Sequence, residues 1–306
     1  MSEGRRTHWA NVSEAGFGLG VWLLYFVDRF LGRWPLRAVL APVVLYYVLG
    51  NRVARQSSRE YFARLGLEPS FAHTFRHIAS FAESLLDKLL AVSGHYPFEK
   101  LRFSGREVML ESLAAGRGGV LVTAHLGCLE VCRIVAGRRK GLRLNVLVHT
   151  RNAETYNSVL RRLDPQTQLN LVQVSELGPG MAALLAQRVD AGEFVVITAD
   201  RVPLSDTSGR TVVAPFLGAD AHFPIGPWVL AAALKCQVIL FSVVHEADTY
   251  HARFERLAER VDLPRAHREA AAAGYVRQYA QRLEALCRGA PYDWFNFFPF
   301  WEPPRA

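Results

Sequence analysis

From about Val120 onward, short apolar runs alternate with helical patterns, and that alternation restricts the fold more than any other feature of the chain. "VLVTA", "LNVLV", "LNLVQV", "FVVITA" and "VILFSVV" have the length and branched composition of buried strands. "AETYNSVLRRL", "PGMAALLAQRVDAG" and "GPWVLAAALK" supply helices between them. Parallel neighbours need long crossovers, so the alternation predicts an α/β fold with a largely parallel mixed sheet flanked by helices. "YHARFERL" reads as an added edge strand, and Pro264 to Arg288 as a long amphipathic helix closed by Gly289 and Pro291. Upstream, Phe71, Phe75, Ile78, Phe81, Leu85 and Leu89 recur at helical spacing, with Gly94 as the stop. A chain of 306 residues can bury a sizeable core. The organisation expected is one α/β domain over 69–306 behind a helical region over 1–68.

The excess of positive charge is not spread evenly along the chain. Of a formal net +8, eight arginines against two acids fall between Arg29 and Arg76. Around them sit two apolar segments, Ala15 to Val27 and Ala38 to Gly50, each 13 residues long. A helix needs roughly 20 residues to cross a bilayer, so neither segment spans one. Two readings stand: a pair of core helices, or a monotopic anchor lying in the membrane interface with its arginines on anionic headgroups. The apolar stretch is followed by arginines and Pro35 rather than small residues, which argues against a cleaved secretory signal. The arginines alternate with large apolar residues and no recognition motif accompanies them, which argues against nucleic acid. Cys128, Cys132, Cys236 and Cys287 sit in apolar surroundings without a disulfide framework, as in a reducing compartment.

Most motif candidates fail on context. "GFGLG" follows no strand and lacks dinucleotide-binding spacing, and there is no P-loop and no G-x-S-x-G elbow. His245, Glu246 and His251 lack the H-E-x-x-H spacing and sit at a strand end. His125, Cys128 and Cys132 have no further cluster to complete a zinc site, so no metal is expected.

"VTAHLGCLE" survives. His125 ends a strand, Gly127 permits a tight turn, and a helix begins. Ligands of open α/β sheets bind beyond the carboxyl ends of strands, which is where this histidine falls. Five residues apart on one helix, His125 and Glu130 would point about 140° apart. The turn at Leu126–Gly127 removes that restriction. A carboxylate on one ring nitrogen fixes the tautomer and leaves the other nitrogen to take a proton from a hydroxyl. The alternative is a strand-end or capping histidine.

"AHLGCLE" resembles the H-x-x-x-x-D/E motif of glycerolipid and lipid A acyltransferases. The likeness extends to "VLVHTRNAETYN", to "ITADRVP" followed by "APFLGADAHFPIGPWVLA", and to the closing "YDWFNFFPFWEP". Together these resemble the lauroyl/myristoyl acyltransferase branch of the lysophospholipid acyltransferase superfamily, over about Phe71 to Pro303. The closing block is similar to acyltransferases of aryl-polyene-type lipid pathways. Two departures lie beside the reacting centre: Leu-Gly-Cys-Leu in the first block and Asp-Arg in the third. Leu126 and Cys128 are therefore the positions expected to reflect the acceptor.

The resemblance implies an O-acyltransferase on the cytoplasmic face of a bacterial inner membrane, peripheral or monotopic. His125 would be the general base and Glu130 its partner. Arg151 would meet the acyl carbonyl or a phosphate, with Gly127, Asp200, Arg201 and Gly226 at the substrate cleft. Solvent exposure is the alternative for Arg151, a turn cap for Asp200, a structural ion-pair network for Asp200 with Arg201, and simple packing for the aromatic tail. Acyl carrier protein or coenzyme A would carry the donor chain, a lipid or glycolipid would accept it, and no cofactor is implied. An acidic carrier protein suits a basic partner, because complementary charge steers encounter. A non-catalytic lipid- or carrier-binding protein and a thioester hydrolase are the rival functions.

Overall fold

A computed structural model describes residues 26–27, 30–92, 96–129, 142–148, 169–173, 178–202, 211–246 and 249–302. Seven strands form the main sheet: β1 (Leu101–Ser104), β2 (Gly119–Thr123), β3 (Leu144–Val148), β4 (Leu169–Gln173), β5 (Phe194–Thr198), β8 (Gln237–Glu246) and β9 (Thr249–Ala258), in the spatial order β1-β9-β8-β2-β5-β3-β4. Every neighbouring pair is parallel except β8 with β9. β6 (Thr211–Phe216) and β7 (Ala219–Pro224) make a separate antiparallel ribbon. The sequence reading did not anticipate this ribbon, because "APFLGADAHFP" interrupts its apolar pattern with Pro, Gly and Asp.

Burial follows the pleat. β2 is covered on both faces, with Val120 and Val122 in one core layer and Leu121 in the other. β8 divides likewise, Val238 and Leu240 against Ile239 and Phe241, and so reads as a continuous apolar run. β9 alternates buried and half-exposed residues, which is why "YHARFERL" looks like an edge. Its position is one strand further in: the four-residue β1 pairs along its outer side. Four residues are too few for periodicity to register.

The described helices are α1 (Arg33–Gly50), α2 (Arg52–Arg64), α3 (Phe71–Val92), α4 (Arg106–Ala114), α5 (Pro179–Asp190), α6 (Gly226–Leu234) and α7 (Arg268–Gly289). α7 buries Ala272, Val276, Tyr279, Ala280, Leu283 and Cys287, a three-four spacing that gives it one apolar stripe against the sheet. Gly94, "GFGLG" and the helix expected from "AETYNSVLRRL" lie outside the described residues.

α1 has a different economy. Leu36, Leu40, Val44 and Val48 form its one buried stripe, while Trp34, Val43, Tyr46 and Leu49 face outward. Its arginines turn inward: Arg33 pairs with the buried carboxylate of Asp87 on α3, and Arg37 with Glu83 at 3.0 Å. Both of these arginines thus have protein carboxylates as partners. Among the described residues no single helix is long and apolar enough to cross a membrane. α1 and α2 pass that test only as a pair, bent by 93°.

Candidate active site

The site sits where the order of strands reverses. From β2 the chain moves outward to β3 and β4, returns to β5 beside β2, and later places β8 on β2's other side. A crevice opens beyond carboxyl ends at such a point. Register then brings two residues level: Thr123 of β2 pairs with Thr198 of β5, and the Ala199 N–H extends the ladder to the Thr123 carbonyl at 2.9 Å. His125 and Asp200 are each two residues further along.

They meet. His125 Nδ1 lies 2.8 Å from Asp200 Oδ1, and the His125 backbone N–H donates to Asp200 Oδ2 at 3.0 Å. The indole N–H of Trp294 gives Oδ2 a second donor at 3.1 Å. Asp200 is fully buried, and burial alone would raise its pKa. The adjacent His125, the hydrogen bonds from its ring and backbone, and the charge of Arg201 outweigh that cost and hold the carboxyl down to about 2. An ionised Asp200 can only accept, so Nδ1 carries the proton and the Nε2 lone pair is left open. The His125 side chain is 37% exposed, enough for a reacting group to approach.

Asp200, expected at the substrate cleft, is thus the carboxylate on the imidazole among the described residues. Glu130 and Arg151 both lie outside the described residues. Asp200 could be recognised as the imidazole's partner only from the β2–β5 register, which a sequence separation of 75 conceals.

The turn after His125 depends on Gly127. Its φ is +59°, and a Cβ there would fall 1.7 Å from the carbonyl oxygen of Val243 on β8. Any side chain is excluded by both conformation and space. The Gly127 N–H donates to the Asp293 carbonyl at 2.8 Å, and the Ser84 hydroxyl of α3 donates to the Gly127 carbonyl at 3.2 Å. The Leu126 N–H is also engaged, by the Ala124 carbonyl. These two amides are consequently committed to structure rather than open to an oxyanion.

The segment Asp293–Phe295 straps the site. Trp294 pairs with Leu126 as an isolated antiparallel bridge, and the Phe295 N–H donates to the His125 carbonyl at 2.9 Å. Arg201 donates to the Phe295 carbonyl, with its guanidinium over the Phe298 ring at 5.2 Å. Arg201 is in this structure an anchor for the strap, and burial lowers its pKa against the opposing pull of Asp200. Trp294 is fully buried among Tyr61, Phe216 and Phe300. The aromatic tail therefore packs, as one reading of the sequence had it. It also bonds Asp200, which was missed because the tail's spacing gives no hint of its partner.

Leu126 and Cys128 are each 1% exposed and packed in opposite core layers. They shape the turn from beneath, so any bearing of these positions on the acceptor acts through the turn and not by direct contact. Gly226 stands exposed at the start of α6, and none of the described hydrogen bonds joins it to His125 or Asp200.

Two other histidines border the strap. His77 Nε2 lies 2.8 Å from the Trp294 carbonyl and its Nδ1 lies 3.0 Å from the Ser58 hydroxyl. His245, near the end of β8, faces Asp293. Sequence reading placed His245 at a strand end but gave it no partner.

No curated protein matches the chain. Residues 71–302, from the first residue of α3 through the strap, match the family model of bacterial lipid A biosynthesis acyltransferases. By that match, the chain belongs to the bacterial lipid A biosynthesis acyltransferase family and is an acyltransferase.

Proposed function

We propose that the protein transfers a fatty acyl chain from a thioester of acyl carrier protein or coenzyme A to a hydroxyl of a lipid or glycolipid. His125 acts as general base. The observation that carries this reading is the His125 ring itself, fixed through Nδ1 by an ionised carboxylate and, among the described residues, without a partner at Nε2. Nε2 takes the acceptor's hydroxyl proton as the oxygen attacks the thioester carbonyl carbon. The tetrahedral adduct collapses, the C–S bond breaks, and the imidazolium returns the proton to the departing sulfur, giving ester and thiol. Asp200 stabilises that imidazolium. Glu130 and Arg151 belong to this reading through the sequence resemblance, as a second carboxylate and as a cation for the carbonyl or a phosphate. The finer placement in the lauroyl/myristoyl branch, near aryl-polyene-type enzymes, rests on the same motifs.

The outward residues of α1 support work at the cytoplasmic surface of the inner membrane. Trp34 and Tyr46 suit the interface between headgroups and acyl chains. Exposed Arg52 and Arg59 of α2, rather than Arg33 and Arg37, are free to meet anionic headgroups.

Incubating the protein with radiolabelled lauroyl-acyl carrier protein and bacterial membrane lipids tests the reading. Label in a lipid product supports it. Release of free fatty acid alone favours a hydrolase, and unchanged thioester favours a binding protein. Flotation with anionic vesicles at low and high salt tests the membrane surface, and no binding at either salt removes it.

A further inference from the structure

His245 reproduces the local arrangement of His125 one strand away. On β8, the parallel neighbour of β2, its backbone N–H donates to Asp293 Oδ2 at 2.5 Å and its Nδ1 lies 2.9 Å from Asp293 Oδ1. In both units one carboxylate holds a histidine by ring and backbone together. The difference lies in what surrounds the ring. From α3, Asp87 stands 4.0 Å from His245 Nε2, and Glu83 adds negative charge. Tyr250 of β9 donates to Asp87 at 2.9 Å and packs its ring on the imidazole. Arg33 of α1 pairs with Asp87, Arg37 pairs with Glu83, and the Ser80 hydroxyl donates to Asp293 at 3.3 Å. Burial opposes a charge on His245, but Asp293, Asp87 and Glu83 together raise its pKa.

Asp293 works in two directions. Its carboxylate grips His245, while its backbone carbonyl accepts the Gly127 N–H. The next two residues deliver the Trp294 indole to Asp200 and the Phe295 N–H to the His125 carbonyl. We propose that His245 and Asp293 form a positioning unit that sets the His125 turn, acting through the 293–295 strap. The unit touches no reacting atom. Its catalytic consequence rests on the general-base reading of His125.

The geometry separates this from simple space filling. Asparagine at position 245 offers an N–H close to where Nδ1 stands, whereas glutamine fills more of the volume and offers its N–H nearer the Nε2 position. Hydrogen–deuterium exchange on the full chain, with no ligand, is read in peptides covering 121–129. His245→Gln and Asp293→Asn are expected to speed exchange there by about fivefold or more, and His245→Asn by less than about twofold. Asp293→Asn retains the backbone carbonyl that Gly127 uses, so it isolates the side-chain link. Thiol release from lauroyl-coenzyme A with membrane lipids gives the second readout. For His245→Gln, kcat should fall by about tenfold with the donor KM within about twofold, and His245→Asn should restore most of it. Unchanged exchange in both His245→Gln and Asp293→Asn, or Gln outperforming Asn, overturns the proposal. His125→Ala run alongside keeps the two failures apart. Full turnover in that variant sinks the general-base reading, while the exchange result stands or falls by itself.

Discussion

His125 and His77 both touch the 293–295 strap, yet their surroundings prepare them for opposite tasks. His77 is buried with both nitrogens occupied, Nε2–H toward the Trp294 carbonyl and Nδ1 accepting from Ser58. Neither partner carries charge, so desolvation prevails and lowers its pKa to about 4 despite the Trp294 carbonyl and the more distant Asp293. His125 has an ionised partner on one nitrogen and, among the described residues, none on the other. A ring becomes available for proton transfer when one nitrogen is charge-compensated and the other is free. Satisfying both with neutral groups makes it a structural pin.

The sharpest way to break this contrast is to remove each ring. His125→Ala should lower acyl transfer by roughly 10²–10⁴ while leaving circular dichroism and the unfolding midpoint near wild type. Near-normal transfer would end the distinction. His77 should instead show itself in stability against pH. Its folded pKa lies below the unfolded value of 6.5, so the unfolded chain binds more protons between pH 6.5 and 4. The contribution is complete above pH 6.5 and is lost as pH falls through that window, by about 3 kcal/mol at most. Urea midpoints from pH 7 to 4 should flatten in His77→Gln, with turnover per folded molecule retained.

Asp200→Asn probes the charge rather than the ring. It should lower transfer by on the order of 10², because a neutral amide no longer stabilises the imidazolium or enforces the tautomer. The same variant should lose the acid-side slope that wild type shows from pH 4 to 2. There a carboxyl held below its ordinary value gives up its stabilisation as it protonates. The smallest effect is expected from Trp294→Phe, which removes one donor to Asp200 and leaves the two from His125. A change of about 1 kcal/mol, under tenfold in rate, should appear in steady-state kinetics.

The sheet was legible because its central strands are buried on both faces, and continuous apolar runs such as "VILFSVV" leave few alternatives. β1 and the β6–β7 ribbon were not, being short or broken by turn residues. Within the site, His125 and Gly127 could be found from a local strand-turn pattern. The carboxylate on Nδ1 could not, since Asp200 reaches His125 through strand register. Trp294, Asp293, His77 and His245 act through contacts between distant segments, and one sequence holds no periodic trace of such pairings.

The strap has a consequence for the order in which the enzyme becomes competent during synthesis. A nascent chain that has extruded residues 1–290 already contains His125, Gly127 and Asp200. It still lacks the carbonyl for the Gly127 N–H, the indole on Asp200 and the amide on the His125 carbonyl. Assembly of the site must therefore wait for residues 293–295, which are translated about 170 residues after the base itself.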